Sequence, residues 1–302
     1  MLIKPSMFPV ELKMLSGEKL AYYKENGFMV LEGLLGAELT RELSDITDAY
    51  IAAAKGKIQS DHIHDLEDSH TPDNPRVRRL KEPCDLDPFY MSIAKHPKII
   101  EAATAIIGPN IRLHHSKINI KAAGYGAAVE WHQDWAFYPA TNDDIFEVGV
   151  AVDPLTMENG PLMGMPGSHK GPVYNHHVDG RFCGAIDVEA SGIDLSKALP
   201  LIGPAGSVTF HHVRTLHGSG LNRSKLSRRL LLIGYAAADA WPLMGVADYE
   251  KYRRYLLAGE DTIVPRLADV PVRMPMPPAA SQGSIYENQK ALKKRVYETI
   301  AN

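Results

Sequence analysis

The sequence predicts a mainly β fold, a double-sheet barrel with helices outside it, and three observations carry that prediction. Strand character dominates from 111 to 235, helical pattern is confined to the segments before and after it, and the regular strand–helix alternation of a doubly wound parallel sheet is missing. The 302 residues, 45% hydrophobic and 23% charged, supply enough chain for one large core and exclude disordered and fibrous architectures. One domain is therefore expected over 1–302. Its parts are N-terminal helices in 1–110, a β core in 111–240 and a C-terminal helical extension in 241–302.

Ser16 is a suitable N-cap for a helix over 17–25, which Asn26-Gly27 closes because glycine takes the left-handed C-cap conformation. Residues 28–31 form a short apolar strand. From Ala37 to Ala54 the apolar residues Leu39, Leu43, Ile46 and Tyr50 keep helical spacing. Residues 60–75 are polar and turn-rich and read as a loop, with His62, His64 and His70 solvated on it. A further helix starts at Pro97 and stops at Gly108-Pro109. The strands follow at 111–120, 129–135, 147–152, 206–212 and 229–235, separated by Gly, Pro and Asn turns. Helical pattern returns at 248–257 and 287–300, either side of a Pro-, Ser- and Gly-rich connector at 271–283. There is no internal repeat.

Charge and composition narrow the partners. Lys+Arg 33 against Asp+Glu 36 gives a net charge of -3, so no basic field exists to hold nucleic acid or an anionic membrane. The two cysteines, Cys84 and Cys183, lie far apart and point to a reducing compartment. Residues 1–6 lack a charged start before an apolar run, and no stretch approaches the ~20 apolar residues of a spanning helix. A cytoplasmic protein with a small-molecule partner is expected. Its oligomeric state is not legible.

Thirteen histidines is the unusual count. The decisive stretch is Trp131-His132-Gln133-Asp134-Trp135. On a strand His132 and Asp134 project to one face and the other three residues to the opposite one. A third ligand from a later strand completes the two-His-one-carboxylate face of a non-haem Fe(II) oxygenase with positions left open, and His217 is the choice for it. A His-x-Asp triplet alone is weak evidence, since a strand histidine bonded to a nearby aspartate is a common structural feature. The run after His217 strengthens it. Ser219 and Arg228 there suit a charge-assisted, bidentate grip on a carboxylate, such as the distal one of 2-oxoglutarate, whose keto-acid end chelates a metal. Strand parity turns Arg228 toward the pocket and Arg229 away.

These motifs, taken in order, resemble the phytanoyl-CoA dioxygenase family of Fe(II)/2-oxoglutarate oxygenases, which includes ectoine hydroxylases. The likeness runs through Gly-Phe-Met-Val-Leu-Glu-Gly at 27–33, Gly-Pro-Asn-Ile at 108–111 and Lys117-Ile118-Asn119. It continues with His132-Gln133-Asp134 and Phe137-Tyr138-Pro139, Glu-Asn-Gly-Pro-Leu at 158–162, Pro-Gly-Ser-His-Lys at 166–170, and His217 through Arg228. The resemblance implies a double-stranded β-helix (jelly-roll, cupin-like) core, with His132, Asp134 and His217 as metal ligands and Arg228 with Ser219 on the 2-oxoglutarate carboxylate. It also places Lys117, Asn119 and Gln133 around the cosubstrate. The implied cofactors are Fe(II), 2-oxoglutarate and O2, with release of succinate and CO2. Related halogenases replace the carboxylate ligand with a small residue, so Asp134 implies hydroxylation, here of a small organic substrate, as the default outcome. One departure is Val150, on a strand where phytanoyl-CoA hydroxylases carry a tryptophan beside the cosubstrate, which implies a reshaped pocket and another substrate.

Other readings stay open at this point. His115 shares parity with Lys117 and Asn119 and is a candidate to touch substrate; at most one of His211 and His212 faces inward, and His169 reads as structural. Trp135, Phe137 and Tyr138 either fill the barrel or wall the pocket. Arg76, Arg78 and Arg79 form either a solvated basic face or an anion contact. A cupin-type metalloenzyme that does without 2-oxoglutarate, or a ligand-binding homologue without catalysis, is the alternative function.

Overall fold

Alternation along the long central strands sets the architecture. In the computed structural model, which describes residues 16–124, 126–279 and 284–299, Ile118 and Ile120 face one side of their strand while Lys117, Asn119 and Lys121 face the other. The apolar side needs a cover, and the helices of the N-terminal third supply it.

The strands among the described residues are β1 Phe28–Leu31, β2 His64–Leu66, β3 Val77–Lys81, β4 Ile111–Lys121, β5 Val129–His132, β6 Ile145–Ala151 and β7 Leu162–Gly164. They continue with β8 His177–Val178, β9 Arg181–Phe182, β10 Leu199–Leu201, β11 Val208–His212, β12 His217–Ser219, β13 Arg228–Ala237 and β14 Leu256–Ala258. The helices are α1 Gly17–Asn26, α2 Gly36–Ala52, α3 Pro83–Leu86, α4 Pro88–Ala94, α5 Pro97–Ile107, α6 Tyr249–Arg254, α7 Ile285–Asn288 and α8 Val296–Thr299. An eight-stranded sheet has the order β1-β11-β6-β13-β4-β3-β2, with β14 also paired to β4; a four-stranded sheet has the order β10-β7-β12-β5. Both are antiparallel throughout, the two sheets of the expected jelly roll.

Two layers follow. Outside the large sheet, Leu43 of α2, Tyr90 and Ile93 of α4 and Ile99 of α5 pack on Ile118, Val148, Phe210 and Leu231 in one continuous core. Each such fully buried aliphatic side chain contributes roughly 1.5–3 kcal/mol. Inside, between the two sheets, lies a cavity of about 120 Å³ lined by charged and polar residues. Gly27 ties the N-terminal helix to the barrel: its φ of 84° ends α1, and a Cβ there would collide with His169 and Thr215.

Several expectations need correction. The loop expected at 60–75 contains β2, where His64 is buried and bonded to the Tyr50 carbonyl, and His70 contacts the Lys57 carbonyl, so neither is solvated. The strand expected to reach residue 135 ends at His132, and Asp134 opens a 3-10 turn. The C-terminal helix expected at 287–300 is broken into α7, a 3-10 turn and α8, while Ile300, like residues 1–6 and Gly283, lies outside the described residues.

Candidate active site

Three side chains converge where β5 and β12 pair. His132 and His217 are direct cross-strand partners with ring centroids 4.1 Å apart. Gln133 keeps extended angles (φ -120°, ψ 130°), so alternation carries one step past the end of β5 and brings Asp134 to the same face. His132 Nδ1 lies 2.8 Å from the Glu130 carbonyl, and His217 Nδ1 lies 2.9 Å from the Thr215 carbonyl. Those acceptors fix the proton on Nδ1 and leave both Nε2 lone pairs facing the cavity. Asp134 sits between them, Oδ1 at 3.6 Å from His132 Nε2 and Oδ2 at 3.6 Å from His217 Nε2.

These three offer ligand atoms within 4.8 Å of one another, all buried, the one such cluster among the described residues. Burial, reinforced by His132, pushes the His217 imidazole well down and keeps it neutral. For Asp134, burial opposes ionisation, yet His217, His132 and His211 together hold the carboxyl well below its usual range. Neutral imidazoles and one carboxylate, grouped on one side of a cavity, suit Fe(II) with open coordination positions. His211 adds an outer contact, Nε2 to Asp134 Oδ2 at 3.2 Å, that orients the carboxylate. Of the pair His211 and His212, it is the one that lines the cavity.

The register of the large sheet maps the cavity floor. His211, Glu147, Gly234 and His115 form one cross-strand row beside Asp134; Thr209, Gly149, Leu232 and Lys117 form the next; Leu230, Asn119 and Arg79 come after, and Arg228 with Lys121 close the far end. At that far end Arg228 donates to the Gly160 carbonyl (2.7 Å) and to Ser219 Oγ (3.2 Å), and Ser219 Oγ donates to Gly160. Lys121 donates to the carbonyls of Ser219 and Gly220. Neither cation has a carboxylate partner among the described residues, and Arg228 Nε, buried, has no acceptor at all. Burial draws Arg228 down to about 10, and burial with the Arg228 charge holds the Lys121 ammonium far lower than usual. Two adjoining buried cations without a counter-charge fit the distal carboxylate of a dicarboxylate.

Of the expected residues, His132, Asp134, His217, Ser219, Arg228, Lys117 and Asn119 all line this cavity. Gln133 does not. It is fully buried on the far side of its strand, donating to the Pro172 and Arg214 carbonyls and accepting from Tyr174 N, so it braces a loop and has no face toward the cosubstrate. Val150 likewise belongs to the helix-side core, and the cavity-facing neighbour on β6 is Gly149. Trp135 packs in a core cluster, whereas Phe137 and Tyr138 wall the cavity. Arg229 points away, to Asp153 and Asp48. Arg79 lines the cavity with its charge already met by Asp65, and Arg78 reaches Asp68 and Glu287. His115 stands one step back, its Nε2 3.0 Å from Glu147 Oε1.

The sequence reading missed Lys121, Glu147 and the C-terminal wall made by Ile285, Tyr286 and Asn288. Lys121 was open to discovery, because it continues the parity of 117 and 119. Ile285 and Tyr286 carried no such signal.

Residues 23–230 match the phytanoyl-CoA dioxygenase (PhyH) family. Over 280 residues, 91% of this chain and 97% of the relative, the sequence is 40% identical to a Stutzerimonas stutzeri protein named a probable alpha-ketoglutarate-dependent hypophosphite dioxygenase. An L-proline trans-4-hydroxylase of Streptomyces griseoviridis is 31% identical over 179 residues, 53% of this chain and 67% of that protein. Among solved structures, EctD from S. alaskensis with bound Fe superposes with a TM-score of 0.65 at 23% identity, covering 86% of this chain and 94% of that one. That likeness speaks to the shared fold.

Proposed function

This chain belongs to the phytanoyl-CoA dioxygenase family, and from that premise we propose that it oxidises a small anion of the hypophosphite class. It is an Fe(II)/2-oxoglutarate-dependent dioxygenase. The observation that carries the class is the buried group His132, Asp134 and His217 facing the same cavity as the uncompensated pair Arg228 and Lys121.

Fe(II) held by His132, Asp134 and His217 supplies oxygen activation coupled to decarboxylation of 2-oxoglutarate to succinate and CO2. Arg228, Ser219 and Lys121 bind the distal carboxylate and so set which end of the cosubstrate meets the metal. Asn119, with a bare Oδ1 directed into the same space, lies one row nearer the metal. Phe137, Leu162, Leu230 and Leu232 exclude water from the reacting region.

Two features support a small substrate. The cavity of about 120 Å³ has room for on the order of ten waters at ~10–15 Å³ each, and 2-oxoglutarate takes part of that space. The hypophosphite dioxygenase relative aligns over nearly its full length. With hypophosphite, one oxygen atom of O2 would enter a P–H bond to give the P–OH of phosphite, and the other would enter succinate. The same reading takes 1–302 as one oxygenase domain that works in the cytoplasm; among the described residues no helix is long and apolar enough to cross a membrane.

The test begins anaerobically. The protein with Fe(II) and 2-oxoglutarate should show a weak visible charge-transfer band that His132→Ala and Asp134→Ala abolish; an intact band in both variants overturns the site. With O2 and hypophosphite, phosphorus NMR should show phosphite forming in step with succinate. Succinate formation that hypophosphite fails to stimulate overturns the substrate.

A further inference from the structure

We propose that Lys117 and Glu147 form the substrate seat, and that this seat accepts small monoanions while turning away dianions such as sulfate. The inference rests on the reading above that the substrate is a small anion, and it moves Lys117 from the cosubstrate to the substrate.

Position comes first. Lys117 and Lys121 lie four residues apart on β4, roughly 13 Å along a strand rising ~3.3 Å per residue. Lys121 is the register partner of Arg228 at the far end, whereas Lys117 occupies the row next to Glu147 and the metal ligands. A cosubstrate carboxylate gripped by Arg228 and Lys121 leaves Lys117 for another group. Among the described residues Lys117 makes no hydrogen bond or ion pair, although it lines the cavity. Its neighbour Arg79 is bonded to Asp65, so Lys117 is the uncommitted cation at this end.

Glu147 supplies the second half. Its side chain is 3% exposed, Oε1 lies 3.0 Å from His115 Nε2, and Oε2 is buried in the cavity wall with no partner. A bare, buried carboxylate oxygen is a ligand-directed group, because it only accepts hydrogen bonds and costs free energy until a donor arrives. Burial works against its charge, but His115 and Lys117 outweigh burial and hold the carboxyl low despite Asp134. Burial also works against the Lys117 ammonium, and Tyr138, Glu147 and Asp134 keep it protonated. The side-chain-free Gly234 leaves room for Glu147 beside His115: a Cβ there would come within 2.9 Å of Glu147 Oε1 and 3.0 Å of the His115 ring.

The chemistry of the seat follows. One ammonium draws in one negative charge, and a second negative charge on the same small ligand must face the Glu147 carboxylate in a poorly solvated cavity. Hypophosphite carries a single charge and turns P–H bonds toward the glutamate. The product, in its monoanionic form, bears a new hydroxyl, which can donate to Oε2, and it loses that fit when the second proton leaves. Fully ionised tetrahedral anions have neither property.

The test is anion binding to the anaerobic Fe(II)/2-oxoglutarate complex, followed by the shift of its visible band and by calorimetry. The parent protein should bind hypophosphite at least tenfold more tightly than sulfate. Lys117→Met should weaken hypophosphite at least tenfold and leave 2-oxoglutarate within twofold. Glu147→Gln should strengthen sulfate at least tenfold, a gain that misfolding cannot produce. Loss of 2-oxoglutarate affinity in Lys117→Met, with hypophosphite spared, returns that lysine to the cosubstrate and overturns the seat, as does unchanged sulfate binding in Glu147→Gln. A parent that binds formate through Lys117 but ignores hypophosphite removes the hypophosphite reading and leaves the seat standing. A parent that instead binds L-proline through both residues marks a zwitterion site and overturns the monoanion filter, and one that binds no monoanion overturns the seat outright.

Discussion

Arg228 and Lys121 face each other across β13 and β4, buried and without an acid between them. Their mutual repulsion is relieved when a carboxylate arrives, so both should matter to 2-oxoglutarate. Removing the Arg228 counter-charge from a buried carboxylate costs about 2 kcal/mol or more, which is roughly a thirtyfold or larger rise in the 2-oxoglutarate concentration needed by Arg228→Ala. Steady-state titration checks it, and an unchanged requirement would assign the grip elsewhere. Lys121 makes a second, protonic prediction. Its ammonium is depressed in the free protein by burial and Arg228, and a bound carboxylate restores it, so binding takes up a proton and affinity falls as pH rises. Calorimetry in buffers of different ionisation heat should reveal the uptake, and Lys121→Met should abolish it. At this scale the sequence was legible where a side chain's parity could be counted from a neighbour. Arg228 was read that way, whereas Asn119 and Lys117 followed from the family resemblance; all three line the cavity. Gln133 was placed around the cosubstrate by the resemblance, although its strand parity already turned it outward.

On the scale of elements, β4 and β13 carry most of the information. Their pairing slips at Gly234/Tyr235, where Gly234 opposes His115 and Tyr235 opposes Leu113. The irregularity changes the parity of β4: Leu113 faces the helices, while His114 and His115 both sit against Tyr138 on the cavity side. Simple alternation cannot anticipate such a slip at Leu113, whereas His115 keeps the parity of Lys117 and Asn119 and stands behind Glu147, outside the cavity lining. The helix-side consequence is Tyr235. Its ring stacks on Phe146 with centroids 5.3 Å apart, and its hydroxyl donates to the Ala94 carbonyl at 2.7 Å, tying β13 to the end of α4. Tyr235→Phe keeps the stacking and strands that carbonyl, so it should cost about 1–3 kcal/mol, read as a lower urea midpoint with an unchanged slope. A loss below ~0.5 kcal/mol would mean that water or another donor serves Ala94. Six of the strands, β1, β4, β5, β6, β11 and β13, and α5 were placed within a few residues from the sequence pattern. β3 was missed because Arg78 and Arg79 interrupt its apolar pattern, and those arginines are there for the cavity and its C-terminal wall.

Taken as a whole, the molecule closes its active site with parts distant in sequence. Gln289 accepts from Glu130 N at 3.0 Å and donates to the Gly184 carbonyl at 3.0 Å, and Glu130 Oε2 accepts from Val296 N at 3.0 Å. The Glu130 carbonyl in turn holds the His132 ring, so the C-terminal wall is clipped to the strand that presents a metal ligand. Arg78 adds a second clip, through Glu287 at 3.2 Å and over the Tyr286 ring. Nothing in the helical pattern of the C-terminal segment announces this role, since Gln289 works through its amide and α7 spans four residues. The wall and the ligands should consequently respond together. Fe(II) with 2-oxoglutarate at a hundred times its dissociation constant adds about 2.7 kcal/mol to stability, close to a 4 °C rise in Tm for a chain of this length. His132→Ala should lose most of that rise, because the metal and the keto-acid end go with it. Gln289→Ala removes the bonds to Glu130 N and to the Gly184 carbonyl, which should lower the parent Tm and also shrink the ligand-induced rise, although Gln289 does not line the cavity. Equal rises in Gln289→Ala and the parent would show that the C-terminal segment covers the site without being coupled to the metal strand.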